Sequence, residues 1–143
     1  MITVSGSYRR RAGHVLFRRG ADGADDPAEW GTLKRLGVKY RVQDESFVTD
    51  DELRGFMSGF EHILVHFDID VLDEHFFHST YFANPELVGD GSGGGRMTTE
   101  QTGRLLKLIG DESDVVGFTA AEYLPFDEHR LHKMFSGLSL FTE

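Results

Sequence analysis

Hydrophobic and polar positions follow two different periods along this chain. Residues 14–17 form a short apolar run, and residues 38–42 alternate with period two, so each segment is predicted to be a strand. Residues 63–67 are an almost continuous apolar run, which is typical of strands buried on both faces of a parallel sheet. Residues 114–118 are predicted to form another buried strand. The pattern therefore predicts four strands.

Helices are predicted between these strands. Pro27 suits the first turn of a helix that Gly37 ends. Thr49 or Asp50 can cap the next helix, and Thr98 opens a segment of capping-box form. A last amphipathic helix follows the fourth strand. The apolar stripes are, in chain order, Trp30, Leu33 and Leu36; Leu53, Phe56, Met57 and Phe60; Leu105, Leu108 and Ile109; and Leu131, Met134, Phe135 and Leu138.

The order of these elements predicts an α/β fold. Strands that alternate with helices indicate a three-layer arrangement, in which helices flank a mainly parallel sheet and the crossovers are right-handed. Residues 1–13 are polar and basic without periodicity, so we expect a flexible N-terminal arm there. Residues 14–143 are expected to form one α/β domain, which is long enough to bury a core.

Composition excludes several functional classes. The formal net charge of -9 disfavours binding to nucleic acid and to anionic membranes. The absence of cysteine excludes disulfides, thiolate metal sites and cysteine nucleophiles. No apolar run approaches the roughly 20 residues that span a bilayer, and no signal peptide is evident. We therefore expect a cytoplasmic protein.

The candidate metal-binding residues lie at the end of the apolar run 63–67 and directly after it. In an open parallel sheet, ligands bind beyond the carboxyl ends of the strands. Side chains alternate along an extended chain, so His66, Asp68 and Asp70 are expected on one side. Carboxylates crowded at this position favour the binding of a cation, because they repel one another. Oxygen ligands together with one imidazole suit Mn²⁺ or Mg²⁺. The alternative is that both aspartates cap the following loop as Asx turns.

Three segments together resemble the ureohydrolase family, which includes arginase, agmatinase and formiminoglutamase. Residues 65–73 are similar to its signature Ser-Phe-Asp-x-Asp-x-x-Asp-Pro, which ends a central strand. Residues 94–98 resemble its Gly-Gly-Leu-Thr segment, and residues 116–125 are similar to its strand ending in Val-Glu-Val-Asn-Pro. The segments occur in the family's order and at nearly its spacing. The resemblance implies the second half of the arginase-type fold from about residue 14 onwards.

The resemblance also implies a reaction and roles for individual residues. Family members use two manganese ions to activate the water that attacks a guanidino or formimino carbon. Asp68 and Asp70 match two manganese ligands of that pair. Glu122 matches the glutamate that binds the substrate's guanidinium, although a carboxylate at a surface helix start is the alternative. His66 replaces a small residue, and is an extra ligand, a hydrogen-bond donor behind the ligands or a packed strand histidine.

The chain departs from the family pattern at several points. Asp73 is followed by Glu74 instead of proline, and residues 79–93 replace a shorter Gly-Thr-Gly-Thr-Pro loop. The family's Asp-x-His-x-Asp segment, its further histidine ligand and its proton-shuttle histidine have no counterpart. A complete two-manganese site is therefore not expected from this chain, and we assign no catalytic residue.

Three functions remain open at this point. The first is half of a ureohydrolase, inactive alone and completed by a complementary N-terminal half. The second is a catalytically inactive arginase-like module that acts in oligomerisation or partner binding, because half a sheet leaves an exposed edge and uncovered faces. A Mg²⁺-dependent phosphoryl-transfer module ranks last, since it accounts for neither Glu122 nor the glycine segment.

Overall fold

The computed structural model describes residues 2–8, 11–18, 27–42, 47–84, 86, 94–126 and 128–141. Its strands are β1 (Ile2–Tyr8), β2 (Arg11–Arg18), β3 (Lys39–Val42), β4 (His62–Asp68) and β5 (Val115–Ala121). Its helices are α1 (Pro27–Arg35), α2 (Asp50–Met57), α3 (Thr99–Glu112) and α4 (Glu128–Phe135). The protein is thus of the mixed α/β class.

The strands form one mixed sheet in the order β3-β2-β1-β4-β5. β2 pairs with β3, and β4 with β5, in parallel, whereas β1 is antiparallel to both of its neighbours. It follows that β2, β3, β4 and β5 all run in one direction, with β1 reversed between them. The carboxyl ends of these four strands therefore lie at the same end of the sheet.

The first strand is the main departure from the expected fold. A flexible arm was expected for residues 1–13. In the structure, Ile2–Tyr8 instead forms β1, and β2 already begins at Arg11. The sheet also has five strands instead of the expected four, and the two pairings that β1 makes are antiparallel. The physical reason is long-range pairing: Ile2 lies opposite Phe67, and backbone hydrogen bonding of this kind leaves no local pattern in the sequence.

The helix boundaries follow from their caps as predicted. Thr49 forms a capping box with Glu52, and Thr98 forms one with Gln101, so both predicted N-termini are confirmed. Gly37 follows α1 with a φ of 67°, the left-handed conformation that glycine adopts at helix ends. Among the described residues, no helix combines the length and apolar character needed to cross a membrane.

One face of β4 supports the hydrophobic core. Ile63, Val65 and Phe67 alternate with more exposed residues and are almost completely buried. The same cluster contains the buried stripes of α2, α3 and α4, namely Leu53, Phe56 and Met57; Leu105, Leu106, Leu108 and Ile109; and Met134. The opposite face of β4 includes Leu64, which is 54% exposed. Helices α2, α3 and α4 thus belong to the core side of this strand.

A glycine segment packs directly on the chain that follows β4. The Gly95 amide donates to the Asp70 carbonyl at 2.6 Å, and the Met97 amide donates to the Val71 carbonyl at 3.1 Å. The Asp73 amide in turn donates to the Met97 carbonyl at 2.9 Å. A Cβ atom at Gly95 would overlap the Val71 backbone. Glycine is therefore required for this close approach, which holds the start of α3 beside the end of β4.

We expect Gly95→Ala to lower the free energy of unfolding by about 1–3 kcal/mol, because the added methyl displaces the Val71 backbone. Urea unfolding monitored by circular dichroism measures this loss. Gly55→Ala is the matched control, since its Cβ would meet nothing within 4 Å and alanine favours a helix by up to about 1 kcal/mol. A Gly95→Ala protein as stable as the wild type would contradict the close packing.

Candidate functional site

The register of β4 and β5 brings three acidic residues to one end of the sheet. Asp68 ends β4 and lies opposite Ala121, which ends β5. Neighbouring strands are about 4.8 Å apart, and Glu122 follows Ala121 directly. Asp70 lies two residues beyond Asp68. The structure therefore places Asp68, Asp70 and Glu122 at the same end of the sheet.

Asp68 has a structural role in the turn that follows β4. Its Oδ1 accepts a hydrogen bond from the Asp70 amide at 3.0 Å and caps the 3-10 turn Ile69–Val71. The Asx-turn interpretation of Asp68 thus describes the local geometry. Capping does not exclude ligation, because an ionised carboxylate has about four lone-pair sites on two oxygens.

Among the described residues, Asp70 is a carboxylate whose pKa is raised well above its ordinary value. Its Oδ1 is buried, and no described residue donates a hydrogen bond to it. Burial, together with the negative charges of Asp68 and Glu122, raises the pKa of Asp70 to about 6. A buried anionic oxygen without a donor is unfavourable, and a bound cation would offset that cost. Carboxylate oxygens are ligands that suit a hard divalent cation such as Mn²⁺, but the ligand atoms of Asp68, Asp70 and Glu122 do not all lie within 4.8 Å of one another.

Glu122 follows β5 directly and has an unusual backbone conformation. Its φ is 61°, in the left-handed region that residues other than glycine rarely adopt. The chain beyond it is fixed to Ser79, whose carbonyl accepts from the Leu124 amide at 2.9 Å. The Ser79 hydroxyl also accepts from the Phe126 amide at 3.0 Å. Left-handed residues of this kind concentrate at ligand sites, and the charge of the exposed Glu122 is near enough to raise the pKa of Asp70.

Ser79 was not recognised as a site residue from the sequence. It is fully buried and ties the loop after β4 to the loop after β5. It belongs to the stretch of residues 79–93 that departs from the ureohydrolase pattern, so no motif identified it. What distinguishes Ser79 is its burial within a loop, and the sequence alone does not reveal burial.

His66 contacts the neighbouring strand rather than the acidic residues. Its Nδ1 lies 2.8 Å from the Thr119 hydroxyl, across the register pair that these two residues form. This contact makes His66 a strand histidine whose ring orientation is fixed from β5. The ligand atoms of His66, Asp68 and Asp70 do not all lie within 4.8 Å of one another, so the described residues do not assemble this predicted trio as a compact group.

A different group of potential ligands does assemble within the described residues. Asp73, Glu74 and His75 have ligand atoms that all lie within 4.8 Å of one another. His75 Nδ1 is 2.9 Å from Asp73 Oδ1, and the His75 amide donates to the same oxygen at 2.8 Å. This arrangement is an Asx turn with an exposed imidazole, and hydrogen bonding within the turn accounts for its geometry.

No protein-family model matches the chain, and no curated protein matches it either. A function for this site therefore has to be argued from the three acidic residues and from the sequence motifs that contain them.

The raised pKa of Asp70 predicts a pH-dependent stability. Because the folded pKa of about 6 lies above the ordinary value of 3.8, the folded state holds an extra proton between these values. The free energy of unfolding should then fall as the pH rises through this interval. Asp70→Asn removes the ionising group, so the variant should gain about 1–2 kcal/mol relative to wild type at about pH 7.5 and little at about pH 4.5.

Urea unfolding in buffer containing a metal chelator measures this difference at both pH values. Glu61→Gln, which removes one exposed carboxylate before β4, is the control and should show no such change with pH. A stability difference between Asp70→Asn and wild type that is the same at both pH values would contradict the raised pKa.

Proposed function

We propose that this chain is the C-terminal half of a manganese-dependent ureohydrolase-type enzyme, which hydrolyses a guanidino or formimino C–N bond. The observation that carries the proposal is the buried Asp70 oxygen without a hydrogen-bond donor, beside the charges of Asp68 and Glu122. A bound cation would offset the cost of ionising Asp70 at such a site. The spacing of the three acidic residues along the sequence, with a glycine segment between them, is the spacing that resembles the family.

The backbone supports this proposal through the arrangement around the site. β4 and β5 are parallel neighbours joined through α3, which is the α/β crossover that the family resemblance implies. Gly95 lies against Val71, and along the sequence it falls between the two acidic strand ends, where the family's Gly-Gly segment is expected. We include in the proposal that this part of the chain forms the second half of a three-layer arginase-type fold.

The acidic residues would have different roles in such an enzyme. Asp68 and Asp70 would hold manganese, since their carboxylates are the hard oxygen ligands that this ion prefers. When bound, the metal pair supplies a water activated for attack on the guanidino carbon. Glu122 would bind the guanidinium, because an exposed carboxylate at the rim can accept two parallel N–H hydrogen bonds from that planar cation. Glu122 would thereby orient the carbon toward the aspartates.

The chain alone supplies too few ligands for tight metal binding. Asp68, Asp70 and at most His66 are three candidates, whereas oxygen-ligated divalent cations take about six donors. The proposal therefore includes a partner, a complementary N-terminal half that supplies the remaining ligands and the proton-shuttle histidine. The isolated chain is expected to bind metal weakly and to be inactive.

We expect the purified chain to be largely metal-free and to release no urea from arginine or agmatine. Adding a ureohydrolase N-terminal half that carries the Asp-x-His-x-Asp segment should restore both properties. Asp68→Ala or Asp70→Ala should abolish them again, because each removes a metal ligand. Metal analysis alongside a urea assay tests this expectation. Two tightly bound manganese ions with turnover in the isolated chain would contradict the proposed division of the site.

Loss of Glu122 should have a different effect in the same reconstituted complex. Glu122→Gln should raise KM by roughly tenfold or more while the metal content stays unchanged, because a neutral amide loses the charge-assisted hydrogen bonds to guanidinium. Glu128→Gln, in the exposed first turn of α4, is the control and should change neither value. Loss of metal from Glu122→Gln would instead place this residue among the ligands.

A second candidate function is favoured by the exposed sheet face. Leu64 on β4 is 54% exposed, and Val116 beside the irregular register of β5 is 57% exposed. Exposed aliphatic residues on neighbouring strands are typical of an interaction surface. The chain would then be a catalytically inactive arginase-like module that acts in oligomerisation or partner binding. Failure of any N-terminal half to restore urea release would favour this alternative.

Under either function, we expect the isolated chain to self-associate through this face. Sedimentation velocity should show oligomers for the wild type and a shift toward monomer for Leu64→Lys, since a charge on the face opposes its burial. Leu36→Lys is the control, because Leu36 is 64% exposed at the end of α1 and lies outside the sheet. A monomeric wild type would argue against an interaction surface at Leu64.

A further inference from the structure

Exposed aromatic side chains are concentrated on the two segments that follow β4 and β5. We call residues 76–81 and 123–126 the aromatic loops. Phe76 and Tyr81 are exposed in the first, and Tyr123 and Phe126 are exposed in the second. These four are among only six exposed Phe and Tyr side chains in the described part of the chain. Both loops follow the carboxyl ends of their strands, which is the end of the sheet that carries the three acidic residues.

The two aromatic loops are hydrogen-bonded to each other through Ser79. Its carbonyl accepts from the Leu124 amide at 2.9 Å, and its hydroxyl accepts from the Phe126 amide at 3.0 Å. Consecutive Cα atoms are about 3.8 Å apart, so the Cα atoms of Tyr81 and Phe76 lie within about 8 Å and 11 Å of that of Ser79. The aromatic residues of both loops are therefore neighbours around one point.

Buried residues fix the backbone of the first aromatic loop. Phe77 and Thr80 are each 1% exposed, and the Phe77 amide donates to the Asp73 carbonyl at 2.9 Å. The Phe76 carbonyl in turn accepts a hydrogen bond from Arg130 of α4. Burial and hydrogen bonding thus hold the chain on either side of Ser79, while the Phe76 side chain itself stays 60% exposed. Rings presented from a fixed backbone lose little entropy when a ligand binds.

Aromatic and acidic residues adjoin each other at this end of the sheet. Tyr123 directly follows Glu122, whose negative charge reaches Asp70. A carboxylate binds a cation through its charge, and the faces of aromatic rings attract cations and also pack against other rings. Ligand sites commonly combine apolar and aromatic side chains with a few charged groups in this way. The combination suits a cation that is attached to an aromatic body.

We propose that the aromatic loops bind the part of the substrate that is not the guanidinium, and that this part is an aromatic group. The substrate class is then an arylalkyl guanidine. This inference rests on the proposed function, in which Glu122 binds the guanidinium. The rings of Phe76 and Phe126 would pack against the aryl group, with Phe126 offering the larger open surface at 74% exposure.

A protein partner is the other occupant to consider for exposed aromatic residues. The cores of protein interfaces are depleted in charged residues, whereas these loops adjoin three carboxylates. A partner that covered the rings would also have to cover or neutralise those charges. A small ligand that carries its own positive charge next to an aryl group meets both requirements at once.

Titration of the ¹⁵N-labelled full chain, followed by nuclear magnetic resonance without added metal, tests the proposal. The probes are benzylguanidine and methylguanidine, which carry the same cation and differ by a phenyl ring. We expect benzylguanidine to bind at least about fivefold more tightly, because its ring gains contact with aromatic side chains. Its largest amide shifts should fall within residues 76–81 and 122–126. Equal affinity for the two probes would overturn the proposal.

Single aromatic substitutions locate the bound aryl group. Phe126→Ala and Phe76→Ala should each weaken benzylguanidine binding by about threefold or more and leave methylguanidine binding unchanged. Phe47→Ala is the matched control, since Phe47 is an exposed aromatic residue before α2 and outside both loops. It should leave both affinities within about twofold. Circular dichroism checks that each variant folds, and either loop variant alone decides the test if the other does not.

Glu122→Gln separates failure of this inference from failure of the proposed function. It should weaken both probes by a similar factor, because both lose the same charge-assisted hydrogen bonds. If Glu122→Gln weakens both probes but neither loop variant alters the preference for benzylguanidine, the aromatic site is overturned and the proposed function stands. If Glu122→Gln changes neither affinity, the guanidinium role of Glu122 fails, and the inference fails with it.

Discussion

In the parallel pair of β4 and β5, the register that sets Asp68 opposite Ala121 fixes the positions of most other features. On the core face, the same pairing aligns Val65 with Phe118, and α2, α3 and α4 pack against this surface. Beyond the strand ends, it brings the loops close enough for Ser79 to hydrogen-bond across them. A shift of this register by one residue would turn the core side chains to the opposite face and separate the acidic residues.

This arrangement makes the ionised form of Asp70 electrostatically unfavourable. Its buried oxygen has no donor among the described residues, and two neighbouring carboxylates oppose its ionisation. Core packing stabilises the chain enough to tolerate such a site, as functional sites commonly require. A bound cation would convert the mutual repulsion of these carboxylates into attraction. This interpretation explains why a sheet end that could have been apolar instead carries three acidic residues.

Local features were predictable from the sequence, and features that depend on distant pairing were not. The capping boxes at Thr49 and Thr98 follow from residues three positions apart, so the helix starts agreed with the structure. The pairing of β1 with β4 joins segments about sixty residues apart and has no local signature. Strand alternation placed His66 and Asp68 on one side correctly, but β4 ends at Asp68. A 3-10 turn begins at Ile69, so alternation does not position Asp70.

Nuclear magnetic resonance with Mn²⁺ tests most directly whether Asp68 and Asp70, beside Glu122, bind a cation. Small additions of Mn²⁺ to the ¹⁵N-labelled chain broaden the amide signals of residues near the bound ion. The account predicts that signals of residues 68–71 and 121–123 broaden first, and that Asp70→Asn prevents this selective loss. Broadening that begins instead at other exposed carboxylates, such as those of residues 50–52 in α2, would contradict the claim.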